Sequence, residues 1–439
     1  MPANPTSGAI AHYHVTISDN LGGASVRACF RGLDAPVLVP IVESAARELS
    51  GVLVDGVWES AGGGRVPLRR SGSESCVEYR TRFSRTEYRS EESDSVVVSQ
   101  ARWLWRPEPF PVAWDASVSF SAPEGVAVSL PWARSGDVYH PGRAAFFRET
   151  YGAFGQLERD TFAIAGVTLE IAHLGEQPSE EQVRSWLRRA AETVASVGEQ
   201  FPQDRLHVVI VPVDTPGPPV LFGMVRRGGG ASVLLFPALG APTDELESDW
   251  VAVHELSHLW LPLLRGQDRW LSEGIATYLQ EVLRARCGLQ SSARAWQRLR
   301  EGFERGRKSG TGRALRDESR DMHRTGAYQR VYWAGAAFAL EVDLRLREQS
   351  DGTTTLLSAL RDAHADRVDT PRPIRASLVL HALDAASSSE LFRSLGSRYA
   401  DSVHFPDVAF ATSVEYRETR ARITSLAQEA CDFSVESLR

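Results

Sequence analysis

From about Ile10 to Ser135 the chain alternates apolar and polar residues in short runs, among them His12 to Ile17, Val77 to Phe83 and Val118 to Ser121, separated by clusters of Gly, Ser, Pro and Asp. Successive side chains on a strand point to opposite faces, so this period of two predicts half-buried strands, and many short strands punctuated by turns predict a β-sandwich. After about residue 150 the pattern changes. Phe162 to Ile171, Leu206 to Val213 and Ser232 to Phe236 read as strands, Ser179 to Phe201 as a helix, and Trp250 to Trp260 as a mostly apolar buried helix. Beyond Asp351, the stretches Leu356 to Asp362, Ser387 to Tyr399 and Arg417 to Ala430 have helical apolar spacing. The expected architecture is multidomain α+β: a β-sandwich over 1–149, a mixed domain over 150–348 and a small helical region over 349–439.

Composition changes this picture little. A chain of 439 residues with 43% hydrophobic content can bury large cores and favours two or three domains. Its net charge of -7 argues against nucleic-acid and membrane binding, and no apolar run approaches a membrane span. The stretch Met1 to Gly8 has neither the basic region nor the apolar core of a signal peptide, so a cytoplasmic protein is expected. Cys29, Cys76, Cys287 and Cys431 are widely scattered and form no C-x-x-C pair, which reads as reduced, packed thiols. His12 and His14 share one strand face and are expected to be exposed or satisfied locally, while Trp103, Trp105 and Trp114 are expected to fill a contact between sheets or between domains.

The candidate chemistry lies in His254-Glu255-Leu256-Ser257-His258, followed by Glu273 within Trp270-Leu271-Ser272-Glu273-Gly274. Residues four apart share a helix face, so His254 and His258 can present imidazole nitrogens to one ion, with Glu255 beside them. A catalytic zinc takes three protein ligands and leaves one position open. Glu273 would be the third, carried by a second helix that Ser272 or the turn before it starts, with the polar segment Arg265 to Arg269 turning the chain back. One Zn2+ per chain is expected.

His254-Glu-Leu-Ser-His258 together with Trp270-Leu-Ser-Glu273-Gly-Ile-Ala-Thr-Tyr278 resembles the gluzincin peptidases, particularly the aminopeptidase N and glycyl aminopeptidase families. The resemblance implies a thermolysin-like gluzincin catalytic domain, an N-terminal sandwich packed against it and a short helical tail. Tyr332-Trp-Ala-Gly335 resembles the Y-x-K-G segment that bears the catalytic tyrosine in these families, which makes Tyr332 the candidate and Tyr328, one turn earlier, the fallback. Several positions depart from the pattern. The interval from His258 to Glu273 is shorter, Ala334 replaces the lysine, and Gln280, with Glu281 next to it, stands at the position of an acid behind the metal ligands. Leu221 to Arg226 loosely resembles the edge strand carrying G-x-M-E-N, but Val225 and Arg226 occupy the Glu and Asn positions, so the carboxylate that recognises a free amine is missing.

The expected activity is therefore zinc-dependent hydrolysis of peptide bonds by a metal-activated water, with Glu255 as general base, Tyr332 as oxyanion donor and an endopeptidase favoured over an aminopeptidase. Gly223, Met224 and Arg226 would line the substrate cleft, where a peptide could add to the strand edge. The alternatives are a hydrolase using the same site on an epoxide and a metal-binding scaffold without catalysis. The expected partner is a peptide or protein substrate. Between Arg294 and Arg330 the chain carries eleven basic and five acidic residues, a bias that fits a solvated helical face or a preference for acidic peptides.

Overall fold

The protein is described here from a computed structural model. It describes residues 8–431 apart from positions 55, 60–63, 69–72, 85, 87, 91–93, 176, 177, 199, 366–369, 412 and 427–430. The expected alternation at the N-terminal end produces strands Ala9–Ile17, Gly23–Arg31, Glu74–Arg82 and Trp114–Ser121 at the centre of an eight-stranded sheet. Its inner face buries Tyr13, Val15, Phe30 and Tyr79 together with Trp103, Trp105 and Trp132. The Tyr13 and Tyr79 hydroxyls donate to the Trp105 and Trp103 carbonyls, each at 2.8 Å, so the polar tips are satisfied within the core. Trp103 and Trp105 are thus core residues, and Trp114 packs at the edge of the same cluster. His12 and His14 bond to the Ser117 and Ser119 hydroxyls on the neighbouring strand at 2.6 and 2.9 Å.

The opposing four-stranded sheet runs in the order Ala127–Ser129, Tyr151–Gly155, Ser95–Ser99, Tyr88–Ser90. Tyr151–Gly155 pairs antiparallel with Ser95–Ser99, so the sandwich continues past the expected boundary at 149. Val97, Tyr151 and Ala153 also pack against Ala172, Val209 and Leu234 of the next sheet, which joins the two regions through a small apolar layer.

That next sheet has five strands in the order Glu158–Ile164, Val167–His173, Arg205–Ile210, Ser232–Pro237, Val220–Arg226. The stretch expected as one strand from Phe162 to Ile171 is a hairpin, broken where Ala165 and Gly166 both adopt positive φ. A two-residue turn of this kind ordinarily advertises itself as Asn-Gly or Asp-Gly, and Ala-Gly gives no such signal. The helix Glu180–Ala195 follows, opened by a capping box between Ser179 and Gln182. Val220–Arg226 runs antiparallel at the sheet edge, leaving its outer backbone groups free of a further strand.

Helices carry the rest. Arg269–Arg286 and Tyr328–Gln349 cross so closely that a Cβ on Gly274 would lie 2.1 Å from the Gly335 carbonyl carbon, and one on Gly335 would lie 2.1 Å from the Trp270 carbonyl oxygen. The buried Asp343 carboxylate accepts from the Tyr278 hydroxyl at 2.7 Å and from the Leu356 amide at 2.9 Å, tying both helices to the C-terminal region. Beyond it lie Leu356–Ala365, Ala376–Ser387, Leu391–Asp401 and Arg417–Ile423. The sequence reading missed Ala376–Ser387 and started the next helix too early, because the stop between them is Ser388 in the left-handed region, a position without a glycine to mark it. Positions 427–430, expected to extend the last helix, lie outside the described residues, as do Met1 to Ser7.

The segment between Arg294 and Arg330 forms helices Ser292–Lys308 and Leu315–Thr325, where Arg307 pairs with Glu304, Arg320 with Asp317 and Arg324 with Asp321. These contacts support the solvated-face reading. The reading of the cysteines is corrected: Cys29 is bonded to Cys76 and Cys287 to Cys431. Cys29 and Cys76 are opposite each other in the register of Gly23–Arg31 and Glu74–Arg82, a proximity that 47 residues of intervening chain conceal. Disulfides persist mainly in oxidising compartments, so the cysteines no longer support a cytoplasmic location. No helix among the described residues is long and apolar enough to cross a membrane.

Two stability measurements follow from this packing. Gly335→Ala ought to gain about 1 kcal/mol from helix propensity alone, but the crossing opposes it with an overpacking cost of about 1–3 kcal/mol or more. A lowered urea midpoint is therefore expected, and a raised one contradicts the close crossing. Asp249, whose Oδ1 accepts the Val251 amide at 2.7 Å, has its carboxyl pushed up to about 6 by burial, against the pull of that amide and of Arg284. Its proton is held more tightly in the folded than in the unfolded chain, so the stability this group contributes is full below about pH 4 and is lost as pH rises through about 6. Asp249→Asn keeps an acceptor for the amide and should gain on wild type by roughly 2–3 kcal/mol between pH 4 and 7, read from urea titrations at both values.

Candidate functional site

The helix Val251–Ser257 buries Val251, Ala252, Val253 and Leu256 in the core and turns His254 and Glu255 toward the edge strand and the next helix. It ends at Ser257, three residues short of the expected Trp260. His258 opens a 3-10 turn, His258–Trp260, but its backbone stays in the right-handed helical region, so its side chain keeps the same face as His254. The His258 carbonyl accepts from the Leu261 amide at 3.2 Å, and Arg227 donates to it as well. The second helix starts at Arg269, not at Ser272. Freed from a capping role, the Ser272 hydroxyl sits 2.9 Å from His258 Nδ1.

These elements bring the predicted ligands together. Glu273 Oε2 is 3.5 Å from His254 Nε2 and 3.4 Å from His258 Nε2, and the ligand atoms of all three residues lie within 4.8 Å of one another. A tetrahedral zinc with ligand bonds of about 2.1 Å requires its ligands to stand about 3.4 Å apart. The donor set therefore fits zinc in both chemistry and spacing. Each imidazole also has its second nitrogen engaged, His254 Nδ1 by Gln280 Oε1 at 2.7 Å and His258 Nδ1 by Ser272, as ligating histidines require. Burial alone would push the Glu273 carboxyl up, but attraction to His258 and His254 holds it well below the usual carboxylate range. A second grouping, Cys29, Glu74 and Cys76, is not a comparable site, because its two sulfurs are bonded to each other.

Glu255 faces the edge strand, and its Oε2 accepts the Val225 amide at 2.9 Å. Gly223 makes that approach possible: a Cβ there would fall 2.6 Å from Glu255 Cγ and 2.7 Å from Val251 Cγ1. Strand alternation turns the neighbouring side chains away. Met224 packs on the opposite side, with its sulfur 3.6 Å from the Tyr151 hydroxyl, and the Arg226 guanidinium lies over the Tyr151 ring at 5.5 Å. The cleft role expected of Gly223 thus becomes a role against Glu255, while the Met224 and Arg226 side chains lie on the face toward Tyr151.

Tyr332 and Tyr328 separate clearly. The Tyr332 ring stacks on His254 at 5.9 Å with 14° between planes, and its hydroxyl lies near the Glu273 carboxylate. Burial, then the Glu273 and Glu255 charges, raise its pKa far above the ordinary value, so it stays protonated and can donate. Tyr328 is partly exposed and its hydroxyl lies 3.0 Å from His323 Nδ1. Sequence reasoning did not find the Val225 amide or the Ser272 hydroxyl. The amide depends on a strand thirty residues away, and a serine inside the Trp-Leu-Ser-Glu segment looks like a helix start.

No protein-family profile and no curated protein sequence matches the chain. Solved structures do. An aminopeptidase N family protein from Idiomarina loihiensis superposes with a TM-score of 0.65 at 17% identity, covering 84% of this chain and 72% of that one. An M1 zinc metallopeptidase from Deinococcus radiodurans gives 0.55 at 16% identity, covering 91% and 95%. Native yeast LTA4 hydrolase gives 0.52 at 14% identity, covering 89% and 66%. The chain shares the fold of these proteins.

Proposed function

We propose that the chain is a zinc-dependent peptidase. The observation that carries this reading is the convergence of His254, His258 and Glu273, with Glu273 3.4–3.5 Å from each imidazole and all three ligand atoms within 4.8 Å of one another, beside Glu255. The fold supports it, since the neighbours include proteins described as zinc metallopeptidases, and a variant of the Deinococcus protein is described as bound to a Tyr-Ser-Ala substrate. His254, His258 and Glu273 would hold the ion, whose chemistry when bound is Lewis acidity toward a carbonyl oxygen and toward water.

The chain's own groups supply the remaining steps. Glu255, oriented by the Val225 amide, accepts a proton from the attacking water and returns it to the leaving amine. Tyr332, kept protonated by its buried acidic surroundings, donates to the oxygen that becomes negative in the tetrahedral transition state. The outer edge of Val220–Arg226 can bond to the main chain of an extended substrate, which aligns the scissile bond along the strand. The mode of cleavage rests on Val225 and Arg226. Neither supplies the carboxylate that holds a free amine, which favours cuts within a peptide, although the Idiomarina neighbour is described as an aminopeptidase N family protein.

The test is cleavage of a mixed peptide library read by mass spectrometry, alongside Glu255→Gln, Tyr332→Phe and a chelator-treated control. About one zinc per chain is expected. Internal cuts should disappear on chelation, fall by roughly 10²–10⁴-fold in Glu255→Gln and fall by roughly 10²–10³-fold in Tyr332→Phe. Undiminished cleavage by Glu255→Gln contradicts the mechanism, and removal of single N-terminal residues contradicts the endopeptidase mode. Turnover of an epoxide with no peptide cleaved would move the same site to the alternative chemistry.

A further inference from the structure

The acid expected behind the metal ligands is absent at position 280, yet a carboxylate is one hydrogen bond further back. Gln280 and Glu281 are both buried in the helix that carries Glu273. Gln280 Oε1 is 2.7 Å from His254 Nδ1, and Gln280 Nε2 donates to Glu281 Oε1 at 2.9 Å. A carboxylate can only accept, so the amide nitrogen of Gln280 must face Glu281 and its oxygen must face His254. An amide oxygen also only accepts, so the proton of His254 is placed on Nδ1 and the Nε2 lone pair points toward Glu273.

Glu281 is itself held in place. Its Oε2 accepts from Gln290 Nε2 at 2.9 Å and faces Arg284 Nη1 at 3.7 Å, while Arg284 also donates to the Ser248 carbonyl just ahead of the histidine helix. The network therefore fastens both ligand-bearing helices. His258 lacks an equivalent device, because the Ser272 hydroxyl can either donate or accept and does not select a tautomer.

We infer that Gln280 and Glu281 act together as a positioning relay, in which the buried carboxylate orients the amide and the amide fixes His254 as an Nε2 ligand. This rests on the zinc-peptidase reading and adds two residues to it, neither of which touches substrate.

The test is zinc affinity, measured by chelator competition, with the melting temperature of each chelator-treated variant as a check on folding. Gln280→Leu should weaken zinc roughly 10–100-fold, as loss of a partner behind a ligand does, and Ser272→Ala should weaken it less. Gln280→Glu alone sets two carboxylates against each other and should also bind zinc more weakly. The swap Gln280→Glu with Glu281→Gln again gives His254 Nδ1 an acceptor and pairs one carboxylate with one amide, the bond between the two positions now running from the amide at 281 to the carboxylate at 280. It should recover affinity to within a few-fold of wild type, a recovery that independent effects of the two positions would not give. Unchanged affinity in Gln280→Leu, or a swap no better than Gln280→Glu alone, overturns the relay while leaving the zinc reading standing. A wild-type chain that takes up no zinc overturns both.

Discussion

The backbone contact between Gly274 and Gly335 is the constraint on which the site depends. It lies one residue from Glu273 on one helix and three from Tyr332 on the other, and no side chain fits between the two backbones. With the helices that close, Tyr332 comes near the Glu273 carboxylate and stacks on His254. A second backbone approach completes the arrangement: Gly223 lets the edge strand come near enough for the Val225 amide to reach Glu255. Glycine at all three points trades local stability for a geometry that larger residues forbid.

Such a site gathers charge where water is scarce, and the surrounding helices are built to tolerate it. Glu273 is countered by two imidazoles, Glu281 by Gln280, Gln290 and Arg284, and Asp343 by Tyr278 and Arg347. Glu341 on the tyrosine helix receives Arg398 at 2.7 Å and the Tyr399 hydroxyl at 2.6 Å from the C-terminal region. Buried ion pairs add little net stability against apolar replacements, but removing one partner is costly. Their consequence here is geometric: each fixes how one helix sits on the next, and together they hold the elements carrying the ligands.

Features set by local spacing were legible in the sequence. His254, Glu255, His258 and Glu273 lie within twenty residues, and helix periodicity alone places them on converging faces. The sandwich was legible for the same reason, since alternation in His12 to Ile17 or Val77 to Phe83 needs no distant partner to be recognised. Features that depend on register or on unusual backbone were hidden. The Cys29–Cys76 bridge follows from strand pairing, the hairpin at Ala165-Gly166 uses a residue pair without a turn signature, and the helix stop at Ser388 carries no glycine. Met224 shows how alternation misleads when its phase is unknown, because a shift of one residue exchanges the face toward Glu255 for the face toward Tyr151.

The central claim is that His254, His258 and Glu273 form one zinc site, with Glu255 and Tyr332 beside it. Anomalous diffraction at the zinc edge from crystals of the purified protein tests it most directly. The account predicts a single strong peak within about 2.0–2.2 Å of His254 Nε2, His258 Nε2 and a Glu273 oxygen. A zinc peak elsewhere in the molecule, or none at that position in zinc-loaded protein, would contradict it.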